Sequence, residues 1–207
     1  MIAAAAELAR IAAALHPLVA PPAGDGWNHA ELADLLATPD RLTEAAVLVG
    51  LVQRPEGTQV LLTRRTDALR NHAGQVSFPG GRIEADDRDA AAAAVRETFE
   101  EVGIAPAQLT PLGYLDPFAT ITGFRVLPVV ATIAADYVAR PDANEVADVF
   151  EVPLAFLLDP ANLSDLGVEH LGRVRQVWEF SYPSHRIWGV TAAILLNFRE
   201  RLSAAAS

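Results

Sequence analysis

The order of patterns along these 207 residues predicts an α/β (α+β) fold, a mixed β-sheet with α-helices packed on it. Three observations carry that expectation. Apolar, β-branched runs recur at 45–52, 59–65 and 121–135, each with a length that suits a strand. Helical patterns fall between and after them, at 86–103 and 190–206, so strands and helices alternate. A hydrophobic content of 51% with 20% charged residues belongs to a folded chain with a real core.

In chain order, MIAAAAELARIAAALHPLVA reads as a short amphipathic helix. Glu7 and Arg10 interrupt its apolar run and no basic segment precedes it, so it is not expected to be a secretory leader. HPLVAPPAGDGW breaks it with Pro and Gly, and NHAELADLLATPDRL (28–42) follows as a second short helix with Asn28 as N-cap. AAVLVGLV (45–52) and QVLLTRR (59–65), joined by the turn QRPEGT, predict a hairpin. QVSFPGG (75–81) is a short strand that ends in a Pro-Gly-Gly break. DDRDAAAAAVRETFEEVG (86–103) predicts a helix capped by Asp86 or Asp87, filled by alanine and stopped by Gly103. Val95, Phe99 and Val102 are expected on its core face. ITGFRVLPVVATIAA (121–135) predicts one or two strands, EVADVFEVPL (145–154) another, and PLAFLLD a helical turn. VRQVWEFSYPSHRIWG (174–189) predicts a hairpin and VTAAILLNFRERLSAAA a closing helix. The expected organisation is a helical extension over 1–44 followed by one domain over 45–203.

Composition excludes several chemistries. There is no cysteine, so neither disulfides nor thiolate catalysis is available. All 16 basic residues are arginine, which rules out a Schiff-base or phosphate-loop lysine. A net charge of −10 argues against nucleic acid and anionic membrane as partners. No stretch is apolar enough for long enough to cross a bilayer, and a cytoplasmic protein is expected.

Against that background RETFEEVG (96–103) stands out. On a helix, Glu97, Glu100 and Glu101 share one face, where like charges repel. A solvated face is the ordinary explanation of a charge run, but a Gly-Gly break and an apolar stripe mark this helix as packed. Crowded carboxylates suit a hard divalent cation, Mg²⁺ or Mn²⁺, with Glu97 and Glu101 pointing at one ion and Glu100 at a second ion or a water. The bend at 79–81 lets the Gly81 carbonyl approach the same ion, and Arg96 tethers a carboxylate through a bidentate pair.

GGRIEADDRDAAAAAVRETFEEVGI resembles the Nudix box of hydrolases that act on nucleoside diphosphates linked to another group. The box runs Gly, five residues, Glu, seven residues, then Arg-Glu-apolar-x-Glu-Glu-x-Gly-apolar. Residues 96–104 match it except for Thr98 at an aliphatic position. Gly81 to Arg96 is one residue longer than usual and the first Glu is absent. Asp87 stands in its place counting from Gly81, Arg88 counting from Arg96. LLTRRTDALRNHAGQVSFPGG (61–81) resembles the stretch that precedes the box in coenzyme A pyrophosphatases. Leu61, Leu62, Thr63, Arg65, Arg70, Gly74 and Phe78 to Gly81 match, and Thr66 replaces a Ser or Ala.

The resemblance implies a Nudix fold with the sheet sandwiched between helices, and hydrolysis of the diphosphate of coenzyme A, free or in an acyl or oxidised form, to 3′,5′-ADP and the corresponding 4′-phosphopantetheine. Other Nudix substrates, such as ADP-ribose, NADH or dinucleoside polyphosphates, are the alternative, and a non-catalytic nucleotide-binding domain is a third. Arg64, Arg65, Arg70 and Arg82 form a basic cluster suited to phosphate, and His72 is a further donor. The general base is either Glu100 or an acid outside the box such as Glu145. A homodimer is also expected from the resemblance.

Overall fold

β1 (Thr43–Arg54) is the centre of the molecule because both of its faces are apolar. Ala45, Val47, Val49 and Leu51 point to one side of the sheet, and Ala46 and Leu48 to the other. The computed structural model describes residues 2–32, 34–35, 42–67, 73–170 and 172–205. β1 pairs antiparallel with β2 (Gly57–Arg65) through the expected hairpin turn and parallel with β7 (Phe124–Ile133), so the sheet is mixed. Short β3 (Val76–Ser77) pairs antiparallel with β2, and β4 (Gly80–Arg82) pairs antiparallel with β1. The single strand expected over 75–81 is thus two, divided at Phe78–Pro79.

β5 (Leu109–Tyr114) and β6 (Phe118–Ala119) pair with β7, and β8 (Val146–Pro153) with β2. β9 (Leu163–His170), β10 (Arg173–Tyr182) and β11 (His185–Trp188) form a second, three-stranded sheet. The 174–189 hairpin is present, but β5 and β9 were not expected. Pro111 and Gly113 punctuate β5 at a bulge, and β9 is an edge strand with Gly167 and several polar residues, so neither shows a strand pattern.

Helices cover both faces of the main sheet. α3 (Ala90–Val102) packs its alanines on Ala46, Leu48 and Val129. α4 (Leu154–Leu158) and α5 (Val190–Ala204) cover the opposite face with α1 (Ile2–Ala13), whose Ile11 is fully buried. α5 is buried on nearly all sides from Thr191 to Phe198, a stretch that is apolar apart from Thr191 and Asn197. The helix expected over 28–42 is a single turn, α2 (His29–Leu32), among the described residues. Asn28 does not cap it with its side chain. Its amide donates to the Ala119 carbonyl and accepts from the Ala119 N–H, both at 2.8 Å. Arg125 adds bonds to the carbonyls of Gly24 and Pro22, so the N-terminal stretch is held against the main sheet.

Candidate active site

α3 is built to lie close on the sheet. Asp89 caps it, its carboxylate accepting from the Ala92 N–H at 2.8 Å. The cap is therefore neither Asp86 nor Asp87. Gly103 stops the helix with φ 73°, and its N–H donates to the Phe99 carbonyl. The packed face is Ala90, Ala94, Thr98, Glu101 and Val102, and Thr98 fits an aliphatic position by donating its hydroxyl to the Ala94 carbonyl at 2.7 Å. Phe99, expected to face the core, is 51% exposed, since helix rotation places the alanine row inward instead. That rotation drives Glu101, only 5% exposed, under the edge of the sheet.

Consecutive glycines meet this helix. The Gly80 N–H donates to Glu101 Oε2 at 3.1 Å, and a Cβ on Gly81 would overlap the Glu97 carboxylate. Gly80 has φ 154° and no room either, because a Cβ there would overlap the Ala46 carbonyl. Arg96 organises the acids. Its Nε and Nη2 hold Asp87 at 3.1 and 2.9 Å, its Nη1 reaches Glu97 at 3.0 Å and Glu100 at 3.1 Å, and Nη2 also donates to the Arg82 carbonyl. Asp87 is thus the acid tethered to Arg96, while Arg88 is exposed beside Asp89.

A bulge between Arg64 and Arg65 separates their directions. Arg64 pairs with Asp67 at 3.4 Å. Arg65 turns inward, its Nη1 lying 3.6 Å from Glu101 and its Nη2 3.8 Å from Glu145. Glu145 arrives from the loop that covers the end of α3, where Arg140 and Asp142 donate their N–H groups to the Val102 and Glu101 carbonyls. Arg82 lies over the Phe124 ring, 5.5 Å from its centroid, with no carboxylate partner among the described residues. Arg70 and His72 lie outside the described residues.

Burial pushes the Glu101 carboxyl up to about 7, against the Gly80 N–H and Arg65, and Glu145 and Glu97 push it the same way. Burial also raises Glu97, opposed by Arg96 and reinforced by Glu100 and Glu145. The Arg96 fork instead holds Asp87 below its ordinary value. Two desolvated carboxylates are therefore short of positive charge. An all-oxygen donor set and a cradle that only a glycine leaves open fit a hard divalent cation. Among the described residues no three acidic or histidine side chains already close around one point; Glu97 turns to Arg96, and Glu101 to Gly80 and Arg65.

Gly80 and Arg65 also border a cavity of about 490 Å³ on the opposite face of the sheet from α3. All three tryptophans of the chain, Trp27, Trp178 and Trp188, line it. No periodicity could have grouped them, because the walls come from well-separated stretches of the chain between residues 27 and 194.

A family model described as the NUDIX domain matches residues 43–168. An uncharacterized Nudix hydrolase, NudL, of Cronobacter sakazakii is 44% identical over 152 residues, 73% of this chain and 79% of its own. NudL of Escherichia coli K12 is 43% identical over the same shares. The crystal structure of a MutT protein from Methanosarcina mazei Go1 shares the fold, with a TM-score of 0.51 and 20% identity over 83% of this chain and 99% of that one.

Proposed function

The chain belongs to the Nudix family of hydrolases, which act on diphosphate bonds, and we propose that its substrate is coenzyme A, cleaved to 3′,5′-ADP and 4′-phosphopantetheine. The observation that carries the choice of substrate is the stretch 61–81. From that stretch the Arg65 guanidinium and the Gly80 N–H both meet Glu101, and Arg65 also reaches Glu145 at 3.8 Å.

Nudix hydrolases generally need divalent metal ions. Glu97 and Glu101, with Glu100 and the Gly81 carbonyl, would hold Mg²⁺ or Mn²⁺ here, which when bound neutralises phosphate charge and acidifies a water. Water forms a new bond to one phosphorus as the bridging P–O bond breaks, and the bridging oxygen leaves with the other phosphate. Glu145 is the better placed of the two candidate bases to take the water proton. Among the described residues its ion-pair partner is Arg65 at 3.8 Å, whereas Glu100 is bonded to Arg96 at 3.1 Å. Arg96 is a positioning residue, since among the described residues its guanidinium is spent on Asp87, Glu97, Glu100 and the Arg82 carbonyl. Arg65 and Arg64, with Arg70 and His72, grip the phosphates.

The test compares coenzyme A with ADP-ribose, each with Mg²⁺ and with Mn²⁺, and identifies products by mass spectrometry. Faster release of 3′,5′-ADP and 4′-phosphopantetheine from coenzyme A is expected. Preference for ADP-ribose would place the specificity elsewhere in the family, and tight binding of coenzyme A without cleavage would make the domain a sensor.

A further inference from the structure

Of the four arginines between residues 64 and 82, Arg64 pairs with Asp67 and Arg65 with Glu101 and Glu145, and Arg70 lies outside the described residues. Arg82 differs from these. It is exposed, it lies over the Phe124 ring at 5.5 Å from the centroid, and no carboxylate pairs with it among the described residues. A guanidinium that rests on an aromatic face keeps its N–H edge free for an anion. The sheet decides where that edge stands. On β4 Gly81 turns to Glu97, so Gly80 and Arg82 take the other face, where Gly80 borders the cavity. Ala45 joins Arg82 and Val126 in one row across β4, β1 and β7, and Val126 lines that cavity with Thr120, Ile121 and Thr122. Arg82 is therefore a free cation at the rim of the cavity, two residues along the strand from Gly80, a separation of roughly 6–7 Å. Arg125, next in sequence to Phe124, is already spent on Glu44 and on the Gly24 and Pro22 carbonyls.

With the diphosphate held between Gly80 and the box glutamates, an anion that meets Arg82 is a separate group about one sugar away. We propose that Arg82 recognises the phosphomonoester on the adenosine ribose, the 3′-phosphate of coenzyme A, and so selects substrates that carry it over those with an unmodified ribose. The inference rests on the coenzyme A reading. A chain of net charge −10 repels the more highly charged substrate at long range, so a preference for the extra phosphate has to come from a local cation. The fork of an arginine suits a terminal phosphate, which offers it two oxygens at once.

The experiment measures kcat and KM for coenzyme A and for 3′-dephospho-coenzyme A. Wild type is expected to favour coenzyme A by about 10–100-fold in kcat/KM, the worth of hydrogen bonds to a charged group. Arg82→Gln should bring that ratio close to one, mainly through KM for coenzyme A, and Arg82→Lys should keep part of it because the charge stays while the fork is lost. Arg88→Gln removes the same charge from an exposed site on α3's side of the sheet and should leave the ratio unchanged. Calorimetry with 3′,5′-ADP and with 5′-AMP follows the contact apart from turnover, and Arg82→Gln should weaken the first far more than the second. A ratio that Arg82→Gln leaves unmoved, or equal losses with both substrates, overturns the inference alone, as does a shift just as large in Arg88→Gln. Hydrolysis of ADP-ribose but of neither coenzyme A species overturns it together with the reading beneath it.

Discussion

Glu101 occupies a position where an acid is costly, and the cost is the sign of its use. Burial raises its carboxyl from an ordinary 4.5 to about 7, so the folded protein binds a proton there more tightly than the unfolded chain does. Wild type should therefore lose stability relative to Glu101→Gln as pH rises from 4.5 to 7, measured by thermal unfolding in the absence of metal. The same variant should lose turnover by more than about 100-fold, because even partners one step behind a metal ligand cost about 10–100-fold when removed. The two adjacent glycines separate function from fold. A Cβ at Gly81 meets only the movable end of Glu97, so Gly81→Ala should lower activity about tenfold or more with little change in melting temperature. A Cβ at Gly80 meets the Ala46 backbone at a strained φ of 154°, so Gly80→Ala should destabilise by about 1–3 kcal/mol in denaturant titrations. Sequence spacing alone showed that the glutamates share a helix face, but not that Asp87 rather than Arg88 meets Arg96. That choice depends on how the turn at 84–87 folds back, where Glu84 donates its N–H to the Asp87 carboxylate.

At the scale of the element, α3 shows how one member of an apolar stripe can miss the core. Of Val95, Phe99 and Val102, Val102 is buried and Val95 packs against the core as expected, while Phe99 stays exposed because the sheet accepts the small alanines. These allow the helix to approach closely enough for Glu101 to reach Gly80. Phe99→Ser should accordingly cost less than about 1 kcal/mol, whereas a buried phenylalanine truncated to a small residue costs about 3–5 kcal/mol. Asp89→Ala removes the N-cap and should cost about 1 kcal/mol, where Asp86→Ala should cost nothing measurable. Caps were legible only as a choice among neighbouring aspartates, because every one of them offers the same carboxylate. β5 and β9 were illegible for a different reason: an edge strand is defined by its partner's hydrogen bonds and not by its own alternation.

Across the whole molecule, Arg201 ties the last helix to the first segment. It donates to the Ala14 carbonyl at 2.8 Å and to both oxygens of Asp116 at 2.9 and 3.1 Å, and His16 and Asn197 close on the same carboxylate. Burial would raise Asp116, but His16, Asn197 and Arg201 outweigh it and hold the carboxyl below 3.8. Its contribution to stability is present above that value and is lost as pH falls through the lowered folded one. Arg201→Ala should therefore cost about 1.5–3 kcal/mol at pH 7, the worth of hydrogen bonds to a charged group. The difference should narrow below about pH 4, as read by urea titration at a series of pH values. By itself the sequence determined the acidic helix turn, the glycine bend, the arginine run and the alternation of strands and helices. All of these act within a few turns or one hairpin, where spacing is geometry. Only the tertiary structure decided that Glu145 joins Arg65, that Asp116 gathers both ends of the chain, and that three tryptophans enclose one cavity. Those groupings join residues scores of positions apart, and their contacts exist only once long-range burial has drawn the segments together.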